Sequence, residues 1–213
     1  MTRIVAAAIL FDMDGTLVDS TAVVDAVWTE FAEANAAVPA DVLQFGHGRP
    51  SRDTVARFAA DAARTDEWLE WIHTAEAERF GDVTAILGAV DVVTALPRHA
   101  WAVVTSAIRG PALERLSQSG FPEPGLLIGA DDVTHGKPHP EPYLAAASAL
   151  GIEPARCVVF EDASAGIEAG LAAGCQVVAV GAIEAEGLAG RIRDFTDLLV
   201  EVTESGELAL SVP

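Results

Sequence analysis

FDMDGTLVDS, residues 11–20, places two carboxylates one residue apart at the end of an unbroken apolar run, Ile4-Val5-Ala6-Ala7-Ala8-Ile9-Leu10-Phe11. The run lacks polar alternation and carries β-branched side chains, so it is read as one strand buried on both faces. In a parallel sheet, the carboxyl end of such a strand faces a site. Alternation along an extended chain puts Asp12 and Asp14 on the same side, and Gly15 permits the turn that follows. Two acids therefore converge just beyond a strand end.

The chain has 213 residues, half of them apolar, enough for one sizeable domain or a core with a small satellite. Its 32 acidic and 13 basic residues give a formal charge of −19. A field of that sign repels polyphosphate surfaces, which excludes nucleic acid and anionic membranes as partners. Cys157 and Cys175 sit in apolar, strand-like runs and are read as buried, reduced thiols. The apolar run before Asp12 is too short for a signal peptide, and no segment approaches membrane-spanning length. A cytoplasmic monomer is the expectation.

Asp19-Ser20 reads as the N-cap of a helix running to about Asn35. Residues 39–50, with two glycines and two prolines, read as irregular and carry His47 and Arg49, with Arg52 close behind. Amphipathic helices are predicted over 51–63 and 66–80. From residue 85 short apolar strands alternate with Ala-rich helical stretches, the pattern of βαβ units. The strands are predicted at 101–105, 126–128, 157–160 and 176–180, between helices at 88–96, 111–119, 141–150 and 163–173. Arg191-Ile192 reads as a last edge strand, Leu198-Leu199 as helix or turn, and the tail from Glu201 gives no signal. The fold class is α/β, a Rossmann-like, doubly wound parallel sheet. Residues 1–17 and 85–213 form the core, and residues 18–84 an inserted helical cap.

Three further clusters fall at strand ends or in rigid loops. Thr105-Ser106 offers hydroxyls to an anionic oxygen, or simply a turn. Glu161-Asp162 offers carboxylates that suit Mg²⁺, Asp162 being also a candidate helix cap. Lys137, in Gly136-Lys137-Pro138, is the only lysine beside twelve arginines. A compact ammonium there can approach a carboxylate and a phosphoryl oxygen as a point charge. His135 and His139 stand four apart, but Pro138 and Pro140 break the helix that would pair them, so no zinc site is expected.

In this order Asp-X-Asp-Gly-Thr, strand-Thr-Ser, Gly-Lys-Pro and strand-Glu-Asp resemble the four motifs of the haloacid dehalogenase-like superfamily, over residues 5–180. The helical insertion resembles the small cap of the group holding β-phosphoglucomutases and sugar or polyol phosphatases. His47-Gly48-Arg49 is similar to the cap loop of phosphatases acting on hexose phosphates, 2-deoxyglucose 6-phosphate or glycerol phosphate. The resemblance implies a small phosphorylated metabolite as substrate. Asp12 would be the nucleophile that forms an aspartyl phosphate, and Asp14 the acid and base. Thr105 and Lys137, with Ser106, would hold phosphoryl oxygens. Mg²⁺ would be bound by Asp12, the Asp14 backbone carbonyl and Asp162, with Glu161 assisting. His47, Arg49, Arg52 and Arg109 would read the rest of the substrate, Arg52 being equally a solvated loop charge. The similar mutases carry a histidine where this chain has Val24, and an aliphatic residue where it has Thr16. Dehalogenases need no acid at Asp14. A phosphosugar-binding regulator without turnover is the alternative from outside enzymology.

Overall fold

The computed structural model describes residues 2–212. Its centre is a six-stranded parallel sheet in the order β6-β5-β2-β7-β8-β9. The strands are β2 (Ala8–Phe11), β5 (Trp101–Val104), β6 (Leu127–Ile128), β7 (Cys157–Glu161), β8 (Gln176–Val180) and β9 (Gly190–Ile192). The core strands β2, β5 and β7 are buried at every position, as continuous apolar runs in a sheet covered on both faces should be.

Alternation along β2 sends Ile9 and Phe11 to one apolar layer and Ala8 and Leu10 to the other. The first layer also holds Trp101, Phe160 and Phe195, whose rings lie 6.4, 5.5 and 6.0 Å from that of Phe11. It is roofed by α5 (Ala89–Ala95) and α6 (Arg109–Gln118). The second is roofed by α7 (Glu141–Leu150) and α8 (Ser164–Ala172).

The apolar run 4–11 is not one strand. β1 (Thr2–Ala6) pairs antiparallel with β11 (Leu208–Val212), which in turn pairs with β10 (Leu199–Val202), and only after Ala7 does the chain enter the parallel sheet. Ala7 N–H donates to the Arg156 carbonyl at the changeover. The tail from Glu201, which gives no signal in the sequence, therefore supplies β11 and half of β10 and so closes a second, three-stranded sheet.

Between β2 and α5 lie four helices: α1 (Thr21–Ala34), α2 (Pro39–Gly46), α3 (Ser51–Phe58) and α4 (Thr65–Ala77). They bury their own apolar cluster around Val27, Phe31, Val42, Val55 and Ile72, with Trp68 against Phe31. Helix α2 lies in the segment predicted to be irregular. Pro39 is at its first turn, where a missing N–H costs nothing, and the irregular stretch is confined to residues 47–50. The chain leaves and re-enters the sheet through a two-stranded ribbon, β3 (Val18–Asp19) against β4 (Thr84–Ala85). Asp19 is thus a strand residue, and Ser20 caps no amide with its side chain.

Phe11→Ala is expected to lower stability by about 3–5 kcal/mol, because a buried ring touching three others leaves a cavity the sheet cannot collapse into. Urea unfolding followed by tryptophan fluorescence measures it.

Candidate active site

β2 ends by donating the Asp12 N–H to the Phe160 carbonyl, which fixes Asp12 at the sheet's carboxyl edge. The chain then turns back, with Leu17 and Val18 N–H on the Met13 carbonyl and Gly15 N–H on that of Val18. Gly15 has φ +84°, and a Cβ there would stand 2.0 Å from Asp162 Oδ2. Glycine is required both by the backbone and by the approach of that carboxylate.

Lys137 reaches the same edge from the loop before α7. Its Nζ donates to Asp12 Oδ1, to Glu161 Oε1 (2.7 Å) and to the Val104 carbonyl (3.0 Å), so all three ammonium protons are used. The side chain is 1% exposed. Burial pulls its pKa down, but Asp12 and Glu161 more than offset that and hold it above the ordinary lysine value. Asp12 is pushed well above the usual carboxylate range by burial and by repulsion from Glu161, against the pull of Lys137.

Glu161 is fully buried and committed to neighbours within the protein. Oε1 also accepts from Tyr143 OH (3.0 Å), and Oε2 accepts from Ala163 N–H (3.0 Å). A Cβ on Gly166 would lie 1.5 Å from Oε1, so a glycine there admits the carboxylate. Asp162 is held differently. It accepts from Thr16 Oγ1 (3.1 Å), while His47 Nε2 lies 3.2 Å from its other oxygen. That contact raises the His47 pKa, partly countered by burial. Asp162 caps no helix, since Ala163 stands before α8.

Carboxylate oxygens of Asp12, Glu161 and Asp162 lie within 4.8 Å of one another. Three acids face a single buried ammonium, an all-oxygen set with excess negative charge, and that chemistry fits Mg²⁺ rather than a soft metal.

Asp14 is bound from another side. Its Oδ1 accepts from Ser20 Oγ (2.6 Å) and from the Arg115 guanidinium. Arg115, 2% exposed on α6, also donates to Glu76 of α4 (3.1 Å) and lies 4.7 Å over the Phe80 ring. It joins the sheet domain's loop to the helical segment. Burial raises Glu76 to about 7 even against the attraction of Arg115, and burial lowers His73 beside it.

Asp12, Asp14, Thr105, Ser106, His47 and Arg49 all line one cleft between the sheet edge and the helices. Thr105 Oγ1 accepts from Ala107 N–H (3.0 Å), and Ser106 Oγ donates to the Gly48 carbonyl (2.9 Å), a bond across the cleft. Arg49 stacks 4.8 Å over Phe45. Of the residues predicted to read the substrate, two do not line the cleft. Arg52 is exposed and paired with Asp66 at 3.1 Å. Arg109 spends its guanidinium on the Leu127 carbonyl (2.7 Å) and Asp132 (2.6 Å), tying α6 to β6. Among residues the sequence did not assign to the site are Arg115, Glu76, Tyr143 and Asp25, with Ser20, which was read only as a helix cap. The signals were an arginine in the buried stripe Ala112-Arg115-Leu116 and the chain's single tyrosine.

The family model of haloacid dehalogenase-like hydrolases matches residues 6–174. Hexitol phosphatase A of Escherichia coli is 40% identical over 177 residues, covering 81% of this chain and 82% of its own. Glycerol-1-phosphate phosphohydrolase 2 of Saccharomyces cerevisiae is 38% identical, over 81% and 74% respectively. Among solved structures, β-phosphoglucomutase from Clostridium difficile superimposes with a TM-score of 0.79 at 20% identity, covering 89% of this chain and 91% of its own, a likeness of fold.

Glu76 gives a pH signature. Its pKa of about 7 exceeds the 4.5 of a free side chain, so the unfolded chain loses that proton first and stability falls as pH rises from 4.5 to 7. In Glu76→Gln that part of the decline should vanish, seen as a smaller pH dependence of the urea midpoint. An equal decline in both proteins would contradict the buried placement.

Proposed function

The chain belongs to the haloacid dehalogenase-like hydrolase family, and from that premise we propose that it hydrolyses the phosphate monoester of a small sugar or polyol. The observation that carries the reading is the convergence of Asp12, Asp14 and buried Lys137 at one sheet edge, opening into a cleft roofed by helices.

A phosphate monoester resists attack because its oxygens are anionic and its alkoxide leaves poorly. Asp12 is the nucleophile: an oxygen attacks phosphorus in line, the ester bond breaks, and an aspartyl phosphate forms. Lys137 steers one Asp12 oxygen and places positive charge beside the incoming phosphoryl group. Asp14 gives its proton to the departing alkoxide, then takes one from the water that hydrolyses the intermediate. Thr105, whose hydroxyl proton is free while Oγ1 accepts from Ala107, donates to another phosphoryl oxygen, and Ser106 does so on releasing the Gly48 carbonyl. Mg²⁺ would be held by Asp12, Asp162 and the Asp14 carbonyl and would supply positive charge that offsets the repulsion between carboxylate and phosphate. Glu161, its oxygens engaged by Lys137, Tyr143 and Ala163, orients the lysine.

Residues 18–84 act as a cap that excludes water. Besides His47 and Arg49, its side of the cleft offers Asp25, Glu76, His73 and Thr21 beside Val24 and Trp28. Carboxylates and an imidazole accept hydrogen bonds from hydroxyls, which favours a substrate whose far end is hydroxylated. Val24 on this wall offers no proton to a bound sugar, which favours hydrolysis over a mutase.

Phosphate release from hexose, hexitol, pentose and glycerol phosphates, with Mg²⁺ or chelator, tests the reading. Release confined to a few sugars or polyols, dependent on metal and abolished in a folded Asp12→Asn, is the expected result. Conversion of glucose 1-phosphate to glucose 6-phosphate without release would transfer the chain to the mutases, and binding without either would make it a regulator.

Lys137→Arg should lose most of its kcat, since a planar fork cannot replace an ammonium whose three donors are fixed by Asp12, Glu161 and Val104. Rates near wild type in that variant would refute the role given to the lysine.

A further inference from the structure

The loop before α7 carries His135, Lys137 and His139 in alternation, and Glu141 opens the helix. Lys137 points inward. The two histidines are exposed on the same loop and take no part in the hydrolysis described above. Pro138 and Pro140 exclude the helical spacing that would pair them, yet they meet by another route. His139 N–H donates to the Gly136 carbonyl (3.0 Å), folding the loop back until the imidazole centroids lie 4.7 Å apart. Glu141 Oε2 stands 2.9 Å from His135 Nδ1 and 3.9 Å from His139 Nδ1. A donor atom of each of the three residues lies within 4.8 Å of the others.

We propose that His135, His139 and Glu141 form a site for a divalent transition metal of the zinc type, separate from the acidic cluster of Asp12, Glu161 and Asp162. Donor chemistry separates the two. Imidazole suits Zn²⁺, Ni²⁺ and Cu²⁺, whereas the all-carboxylate cluster suits Mg²⁺. At 2.9 Å His135 Nδ1–H donates to Glu141 Oε2, a proton that a bound ion would displace, while the 3.9 Å from Glu141 Oε2 to His139 Nδ1 is close to the edge of about 3.4 Å expected of a tetrahedron built on ~2.1 Å bonds.

The ligands are also held in place before any metal arrives. Glu141 accepts from the Thr134 amide at Oε1 (2.7 Å) and the His135 amide at Oε2 (3.0 Å), which fixes its carboxylate. His139 Nδ1 accepts from the Glu141 amide (3.2 Å), a bond that orients the ring and that an ion at this nitrogen would replace. An ion here would join both ends of the loop that carries Lys137. That loop already meets the helical segment closely, since a Cβ on Gly136 would lie 2.1 Å from Pro50 Cγ.

The test is calorimetric titration of the full chain with Zn²⁺ in excess Mg²⁺, which occupies the acidic cluster, repeated in Asp162→Ala, which disables it. One equivalent should bind in both backgrounds. His135→Ala and His139→Ala should each weaken binding by about tenfold or more, as loss of one of three ligands requires. Zn²⁺ should raise Tm in the wild type by clearly more than in either histidine variant. Absence of Zn²⁺ binding in excess Mg²⁺ would overturn the proposal. So would an affinity unchanged by both histidine substitutions, or loss of binding in Asp162→Ala alone. None of these outcomes bears on phosphate release, so the site and the hydrolytic reading fail separately.

Discussion

A lysine ammonium taken out of water and clasped by two carboxylates and a carbonyl is the constraint on which the rest of the structure depends. Removing one partner from such a buried pair costs about 3–5 kcal/mol, because the remaining charge is left without compensation. The fold meets that requirement by bringing three strand ends together. β2 contributes Asp12, β5 the Val104 carbonyl and β7 Glu161, each to the same nitrogen. Tyr143, Ala163 N–H and the absent side chain of Gly166 then hold Glu161 in register. The polar centre is thus assembled by the apolar layers around Phe11 and Leu10, which decide where those strand ends fall.

A second buried cation extends the arrangement across the cleft. Arg115 touches Asp14 from the sheet side and Glu76 from the helical side, and Ser106 bonds to the Gly48 carbonyl nearby. The position of the helices is thereby coupled to the side chain proposed to move the proton. Both cations matter in a chain of charge −19, which repels an anionic substrate at long range. Salt screens distant acids over roughly 10 Å, while Lys137 acts at contact distance.

Much of this was legible in the residues. Continuous apolar strands, each ending in chemistry-bearing side chains, announced the parallel sheet and the edge that matters. The solitary lysine pointed to its own position. Three kinds of feature were hidden. A change of strand partner at Ala7 leaves no mark in a run where every residue is apolar, and β10, mostly exposed with Glu201 in its middle, shows no alternation. Charge partners across the cleft, such as Arg115 with Glu76, depend on how α4 and α6 are placed. Arg52 and Arg109 look the same in sequence as cleft arginines, and only their partners Asp66, Asp132 and Leu127 show where they are spent. His135 and His139, which the prolines keep out of a helix, approach each other through a tight turn that their spacing does not announce.

The central claim is that Lys137 presents Asp12 as a nucleophile that becomes phosphorylated. Borohydride reduction during steady-state turnover, followed by peptide mass spectrometry, reads it directly, because an acyl phosphate is reduced to the alcohol while a free carboxylate is not. Homoserine at position 12, dependent on substrate, is the predicted result. Active enzyme that yields no reduced residue at position 12, or yields one at Asp14 or Asp162 instead, would contradict the account.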